Sequence, residues 1–312
     1  MRRASLLILG LSLWLALELP AADPAAENLS AANPRPGLTG RLDTLDSLRL
    51  PGLLPRPLEV WLPPGYEADS ARYPVIYAQD GQNLFEPARS FLGVDWGLDE
   101  TLTSLIESGQ VRPVIVVGIG NTPQRRRDYT PASLLAWFTA EETAAFRAAE
   151  GGPSQSTVYL DGLLRDLLPL VNRRYRTLPG PETTFLLGSS RGALVSLEAL
   201  ARHPEVFGGA LCLSTHWVPA GSHLEAWLDS ILPAPGGQRL YFDHGDQTLD
   251  ADYGPFQARA DSLFAARGWV RPGAWESRFF PGDEHSERAW RRRVDQPLRW
   301  LLAPDSAAKP QP

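Results

Sequence analysis

Cysteine is nearly missing from this 312-residue chain, with Cys212 the only one. An intrachain disulfide is therefore excluded, as is a cysteine-based metal site, so stability has to come from a hydrophobic core. Histidine is scarce too: there are five, and none shows the paired spacing that zinc sites use. The sequence thus implies no metal and no cofactor. Positive charge is in deficit, 30 Lys and Arg against 36 Asp and Glu for a net charge of -6, which removes the electrostatic basis for binding nucleic acid or anionic lipid. Internal repeats are absent, and no linker is long enough to divide the chain. One domain of roughly 260 residues is the expectation.

Long apolar runs are few as well. The N-terminal one, Leu6 to Leu17, follows Arg2 and Arg3 and precedes Leu19-Pro20-Ala21-Ala22. Roughly a dozen apolar residues fall short of the ~20 that span hydrocarbon. The pattern predicts a signal peptide over residues 1–22, export to the periplasm or beyond, and no stable membrane anchor once the signal is removed. No cysteine follows the run to accept a lipid. Residues 23–45 and 303–312 are rich in small, polar and proline residues without periodicity, and are expected to be flexible tails around a folded unit at 46–302.

What is present inside that unit is an alternation of short apolar runs with longer amphipathic ones. It predicts an α/β fold: a mostly parallel central sheet with helices on both faces. The strands expected are Leu58–Leu62, Pro74–Ala78, Val114–Ile119, Thr183–Leu187, Gly209–Leu213, Arg239–Phe242 and Glu276–Phe280. The helices expected are Leu98–Ser108, Thr157–Tyr175, Gly192–Arg202, Phe256–Arg267 and Glu287–Leu301. Ligands in such sheets bind at the carboxyl ends of the strands, so chemistry is sought in the loops there.

One such loop reads Gly188-Ser189-Ser190-Arg191-Gly192 between a buried strand and an amphipathic helix, the strand–turn–helix context that makes G-x-S-x-G a nucleophile elbow in the α/β-hydrolase fold. The glycines are needed where side chains two residues either side of the serine would collide. Centring the motif on Ser189 would put Leu187 and Arg191 in the glycine positions, so the frame selects Ser190. A serine hydroxyl needs a base, and in this fold the partners follow in the order Ser, Asp or Glu, His. His285 lies after the strand ESRFF and the turn PGDE, and is the histidine on a loop at a strand's carboxyl end. The acid is sought in the loop after RLYF, which carries Asp243, Asp246, Asp250 and Asp252; Asp250 is preferred, with Asp246 as the alternative. For an oxyanion hole, one donor is the backbone N–H of Arg191 and the other that of Gln82, beside Gly81 in the loop after PVIYA.

The blocks YPVIYAQDGQNLFE, VVGIGNTPQRRRDYTP, LLPLVNRRYRTLPGPETTFLLGSSRGALVSL, YFDHGDQTLDADYGPFQ and GDEHSERAWRRR together resemble the esterase D-type family of the α/β hydrolases. It includes feruloyl and acetyl-xylan esterases and enterobactin-type siderophore esterases. The resemblance covers roughly residues 55 to 300 and implies that Ser190 and His285 are nucleophile and base, with Gln82 and Arg191 at the oxyanion positions. The chain departs from the family where the acid often stands three residues after the glycine, a position occupied here by Thr248. The resemblance also puts Trp96, His216 and Trp217 at the pocket wall. The runs Arg125-Arg126-Arg127 and Arg291-Arg292-Arg293 read as solvated faces, with attraction of an anionic substrate group as the other reading. The expected activity is hydrolysis of a small-molecule or glycan-linked carboxylic ester through an acyl-enzyme. The alternatives are acyl transfer to an alcohol by the same residues, or a non-catalytic binding protein on this scaffold.

Overall fold

The computed structural model describes residues 30–31, 37–68 and 70–304. The signal-peptide expectation for residues 1–22 lies outside the described residues, as does most of the expected C-terminal tail. Among the described residues nine strands form one sheet: β1 Ser30–Ala31, β2 Arg41–Leu48, β3 Arg56–Leu62, β4 Val75–Gln79, β5 Ile115–Ile119, β6 Thr184–Ser189, β7 Gly209–Leu213, β8 Arg239–His244 and β9 Trp275–Phe279. Their order across the sheet is β1-β2-β3-β5-β4-β6-β7-β8-β9. From β5 through β9 neighbouring strands run parallel, and β1, β2 and β3 add an antiparallel edge.

The burial of this sheet explains its sequences. Every residue of β4, β5 and β7 is buried, because helices cover both faces, and strands wet on neither face read as unbroken apolar runs. Two apolar cores result. Tyr77, Val117, Leu186 and Cys212 face one, Ile76, Val116, Leu187 and Leu211 the other. Each of the seven expected strands and five expected helices is present, with ends shifted by a few residues. The expected helix Thr157–Tyr175 contains a π-helical turn, Leu163–Leu167, between two α-helical stretches, and the expected helix Glu287–Leu301 divides into Glu287–Arg293 and Asp295–Leu302.

The N-terminal boundary differs from expectation. Arg41–Leu48 is not part of a flexible segment ending at 45 but a strand paired with β3, and its buried Leu42, Leu45 and Leu48 are each separated by two polar residues, which disguise it. The helices Ala140–Glu150 and Leu224–Ile231 were not expected either. Among the described residues no helix is long and apolar enough to cross a membrane.

Candidate active site

Strand β6 ends in a sharp turn at Ser190, whose φ of 56° and ψ of -124° launch the helix Arg191–Arg202. An L-residue avoids this backbone region unless its surroundings enforce it. Here they do. Ser190 N–H donates to the carbonyl of Leu213 in β7 at 2.9 Å. A β-carbon on Gly188 would collide with the carbonyl of Gly192, so the strand and helix can meet only as glycine. Ser189, by contrast, lies within β6 and is buried, consistent with the frame that places Ser190 at the apex.

Beside the elbow is the loop after β4. Asp80 takes a positive φ of 56° and opens a 3-10 turn, Gly81–Asn83. A β-carbon on Gly81 would strike the backbone of Gly118 in β5. The Asp80 carboxylate is gripped by Arg125 at 2.7 and 2.8 Å and by Asn121 at 2.6 Å. Gln82 Oε1 accepts from the Asn121 N–H at 3.1 Å, which draws the side chain towards the β5 loop. The Gln82 N–H and the N–H of Arg191 each lie in a first helical turn, where no acceptor within the turn exists. A β-carbon on Gly192 would stand 3.0 Å from Gln79 Cβ and 3.3 Å from Asp80 Oδ2, so the start of the elbow helix packs directly on the end of β4 that leads into this turn.

His285 follows β9 and precedes Ser286, the N-cap of the next helix, whose hydroxyl accepts from Ala289 N–H at 3.2 Å. Its Nδ1 is 2.6 Å from Asp250 Oδ1. The other Asp250 oxygen accepts from the Ser214 hydroxyl and from the Gly245 N–H, both at 2.7 Å. Burial acts to raise the Asp250 pKa, but the bonds from His285, Ser214 and Gly245 outweigh it and hold the carboxyl below its ordinary range. An ionised Asp250 only accepts, so Nδ1 carries the imidazole proton and Nε2 is the basic nitrogen. The ring is fixed from two sides, by Tyr253 at 5.6 Å and Trp290 at 5.0 Å, each edge-on. Tyr253 also reaches the loop after β7, its hydroxyl 2.6 Å from His216 Nδ1.

An apex serine, paired imidazole and carboxylate, and two first-turn N–H groups at one end of a parallel sheet form an arrangement suited to acyl transfer. The family model described as "Putative esterase" matches residues 55–301. The chain belongs to that family. It is a carboxylic ester hydrolase. The esterase is similar to the uncharacterized protein YbbA of Bacillus subtilis (strain 168), 28% identical over 193 residues that cover 62% of this chain and 68% of that one. Among solved structures it resembles an IroE-like serine hydrolase from Shewanella oneidensis, with TM-score 0.62, 21% identity, and 82% of this chain and 79% of that chain covered. The enterobactin esterase FES from Shigella flexneri gives 0.59 and 21%, covering 89% of this esterase and 62% of FES. The ferulic acid esterase AmCE1/Fae1A from Anaeromyces mucronatus gives 0.56 and 18%, covering 86% and 92%. At these identities the structural likeness speaks to the fold.

Several sequence-based expectations are changed by the geometry. Asp246 does not reach His285: its carboxylate accepts from Gly282 N–H and from Gln247, leaving Asp250 as the partner. Thr248, in the position where relatives often carry the acid, instead accepts the His285 N–H on its hydroxyl at 2.9 Å. Trp96 and Trp217 are not pocket wall. They are 1% and 0% exposed, because Trp96 packs behind Trp290 and Trp217 packs on Phe242 with its indole N–H on Gln257. His216 does face the site, with Nδ1 2.6 Å from the Tyr253 hydroxyl. The arginine runs are not solvated faces throughout. Arg125 grips Asp80, and Arg293 is buried against Asp243 and Asp283 at 2.8 Å each. The side chain of Arg191 bonds Thr130 Oγ1 at 2.6 Å and Glu150 at 3.1 Å. Sequence reasoning missed Ser214, Tyr253 and Trp290, whose only signal is their position in the loops after β7 and β8 and in the helix after His285.

Proposed function

We propose that this esterase is exported and hydrolyses its ester through an acyl-enzyme on Ser190. The 2.6 Å bond from His285 to a buried, ionised Asp250 carries the reading, because it orients Nε2 to take the serine proton. Ser190 Oγ attacks the carbonyl carbon as His285 Nε2 takes the hydroxyl proton. The resulting oxyanion is stabilised by the N–H groups of Gln82 and Arg191, at the positive end of the helix Arg191–Arg202. Collapse expels the alcohol with the proton from His285. Water, activated by the same imidazole, then releases the acid and restores Ser190. Asp250 keeps the imidazole in the productive tautomer. Export is supported by the charged, then apolar, then small-residue pattern of residues 1–22. The substrate class is a small-molecule or glycan-linked ester, and a panel of acetyl, feruloyl and siderophore-type esters would rank them.

The direct test is Ser190→Ala assayed on a short p-nitrophenyl ester. A loss of at least about 10³-fold in kcat is expected. Retention of wild-type turnover would remove Ser190 from the mechanism.

A further inference from the structure

The turn that carries the Gln82 N–H begins at Asp80, and every polar group of Asp80 is engaged. Its carbonyl accepts from Asn83 N–H at 2.9 Å, closing the turn around Gln82. Its N–H donates to the Tyr129 hydroxyl at 3.3 Å. One carboxylate oxygen accepts from Asn121 Nδ2 at 2.6 Å and from Arg125 Nε at 2.7 Å, the other from a terminal nitrogen of Arg125 at 2.8 Å. Asn121, Arg125 and Tyr129 follow β5 at intervals of four residues, so one short stretch of chain grips one residue of the neighbouring loop. We propose that this grip makes Asp80 and Arg125 positioning residues for the oxyanion hole, an inference that rests on the Gln82 and Arg191 N–H groups being the donors to the oxyanion.

The backbone shows why a grip is needed. Asp80 takes φ 56° and ψ 45°, a left-handed conformation that an L-residue adopts at a cost that glycine is spared. Glycine would relax the turn but supply no carboxylate. The fork of Arg125 meets both carboxylate oxygens, the geometry in which charge-assisted bonds are strongest and most directional, and its guanidinium lies over the Tyr129 ring at 5.2 Å. Asp80 is 3% exposed, which leaves little water to compete for these bonds. The same carboxylate reaches the second donor. A β-carbon on Gly192 would stand 3.3 Å from Asp80 Oδ2, which seats the carboxylate between the turn bearing the Gln82 N–H and the start of the helix bearing that of Arg191. The clamp thereby fixes the direction of the Gln82 N–H and its separation from the Arg191 N–H before the ester carbonyl gains charge, the condition under which such donors act without reorganising.

Two variants of opposite charge test this, with folding checked by thermal melting. Asp80→Asn and Arg125→Gln should each lower kcat by about 10- to 100-fold, less than removing a donor outright, with KM changed less than about three-fold. A trifluoromethyl ketone, whose adduct with a serine places an oxyanion in the hole, should lose affinity by the same factor as kcat/KM. One substitution removes a negative charge and the other a positive one, so a role through charge alone would move the two in opposite directions. The double variant Asp80→Asn/Arg125→Gln buries no unpaired charge and should be no worse than either single one; it carries the test where a single variant fails to fold. Opposite shifts, additive losses, a double variant with wild-type kcat, or ketone affinity unchanged while kcat falls would each overturn the clamp. Failure of the ketone to inhibit the wild type would instead remove the oxyanion assignment, and the clamp with it.

Discussion

The two halves of the site are held by different means. On the elbow side, backbone meets backbone: Gly188 against Gly192, Gly81 against Gly118, and a serine at φ 56° fixed by β7. On the acid–base side, side chains meet across long stretches of sequence. Ser214, Asp250 and His285 are 36 and 35 residues apart, and Trp290 reaches back 76 residues to give its indole N–H to Ser214. The first kind of order resists changes in side-chain volume at a few points. The second depends on charge and on hydrogen-bond count at every member.

This contrast can be broken first on the acid–base side. Asp250→Asn preserves shape but withdraws the acceptor that fixes the imidazole tautomer, and kcat should fall by about 10² to 10⁴-fold. Asp246→Asn should stay within about two-fold of wild type, since among the described residues that carboxylate accepts from Gln247 and Gly282 and not from His285. Equal losses in steady-state assays would show that the aspartates are not distinguished by their geometry.

The elbow side is tested by volume rather than charge. Gly188→Ala should destabilise the fold by about 2–4 kcal/mol through the collision with Gly192. The same change at Gly254, where a new β-carbon would meet only His244 at 3.6 Å, should alter stability by less than about 1 kcal/mol. Denaturant melts of the two variants give the comparison, and similar stabilities would refute it.

The smallest effect expected is on pH dependence. Asp250 has a folded pKa below its unfolded value. Its stabilising contribution is present above the unfolded value of about 4 and is lost as pH falls through the folded one. The melting-temperature gap between wild type and Asp250→Asn should therefore narrow as pH drops from about 7 to about 3. A gap that held constant, or widened, would contradict an ionised, bonded Asp250.

The same division explains what was legible in the sequence. GSSRG could be read because a backbone collision dictates residue types at fixed offsets, so Ser190 and the flanking strand and helix are written locally. The buried parallel strands were legible for a similar reason: burial on both faces forces continuous apolar runs. β2 was not, because RLDTLDSL hides three buried leucines among aspartates and a threonine, and its strand character comes from pairing with β3. The helix Ala140–Glu150 has a capping box at Thr139 and Glu142 but buries none of its residues, so it leaves little periodic signal. The choice between Asp250 and Asp246 depended on which carboxylate a 3-10 turn, Thr248–Asp252, would aim at a histidine 35 residues later. Local patterns do not encode that direction.

Cys212 has a practical consequence. The thiol lies in β7 with no exposed surface, its Sγ–H on the Ala193 carbonyl at 3.5 Å, and burial pushes its pKa up. A sulfhydryl in the middle of the sheet, next to the elbow strand, becomes reachable only when the whole sheet opens. Its alkylation rate in the native protein is therefore a built-in clock for global unfolding, one that needs neither an introduced label nor a substrate.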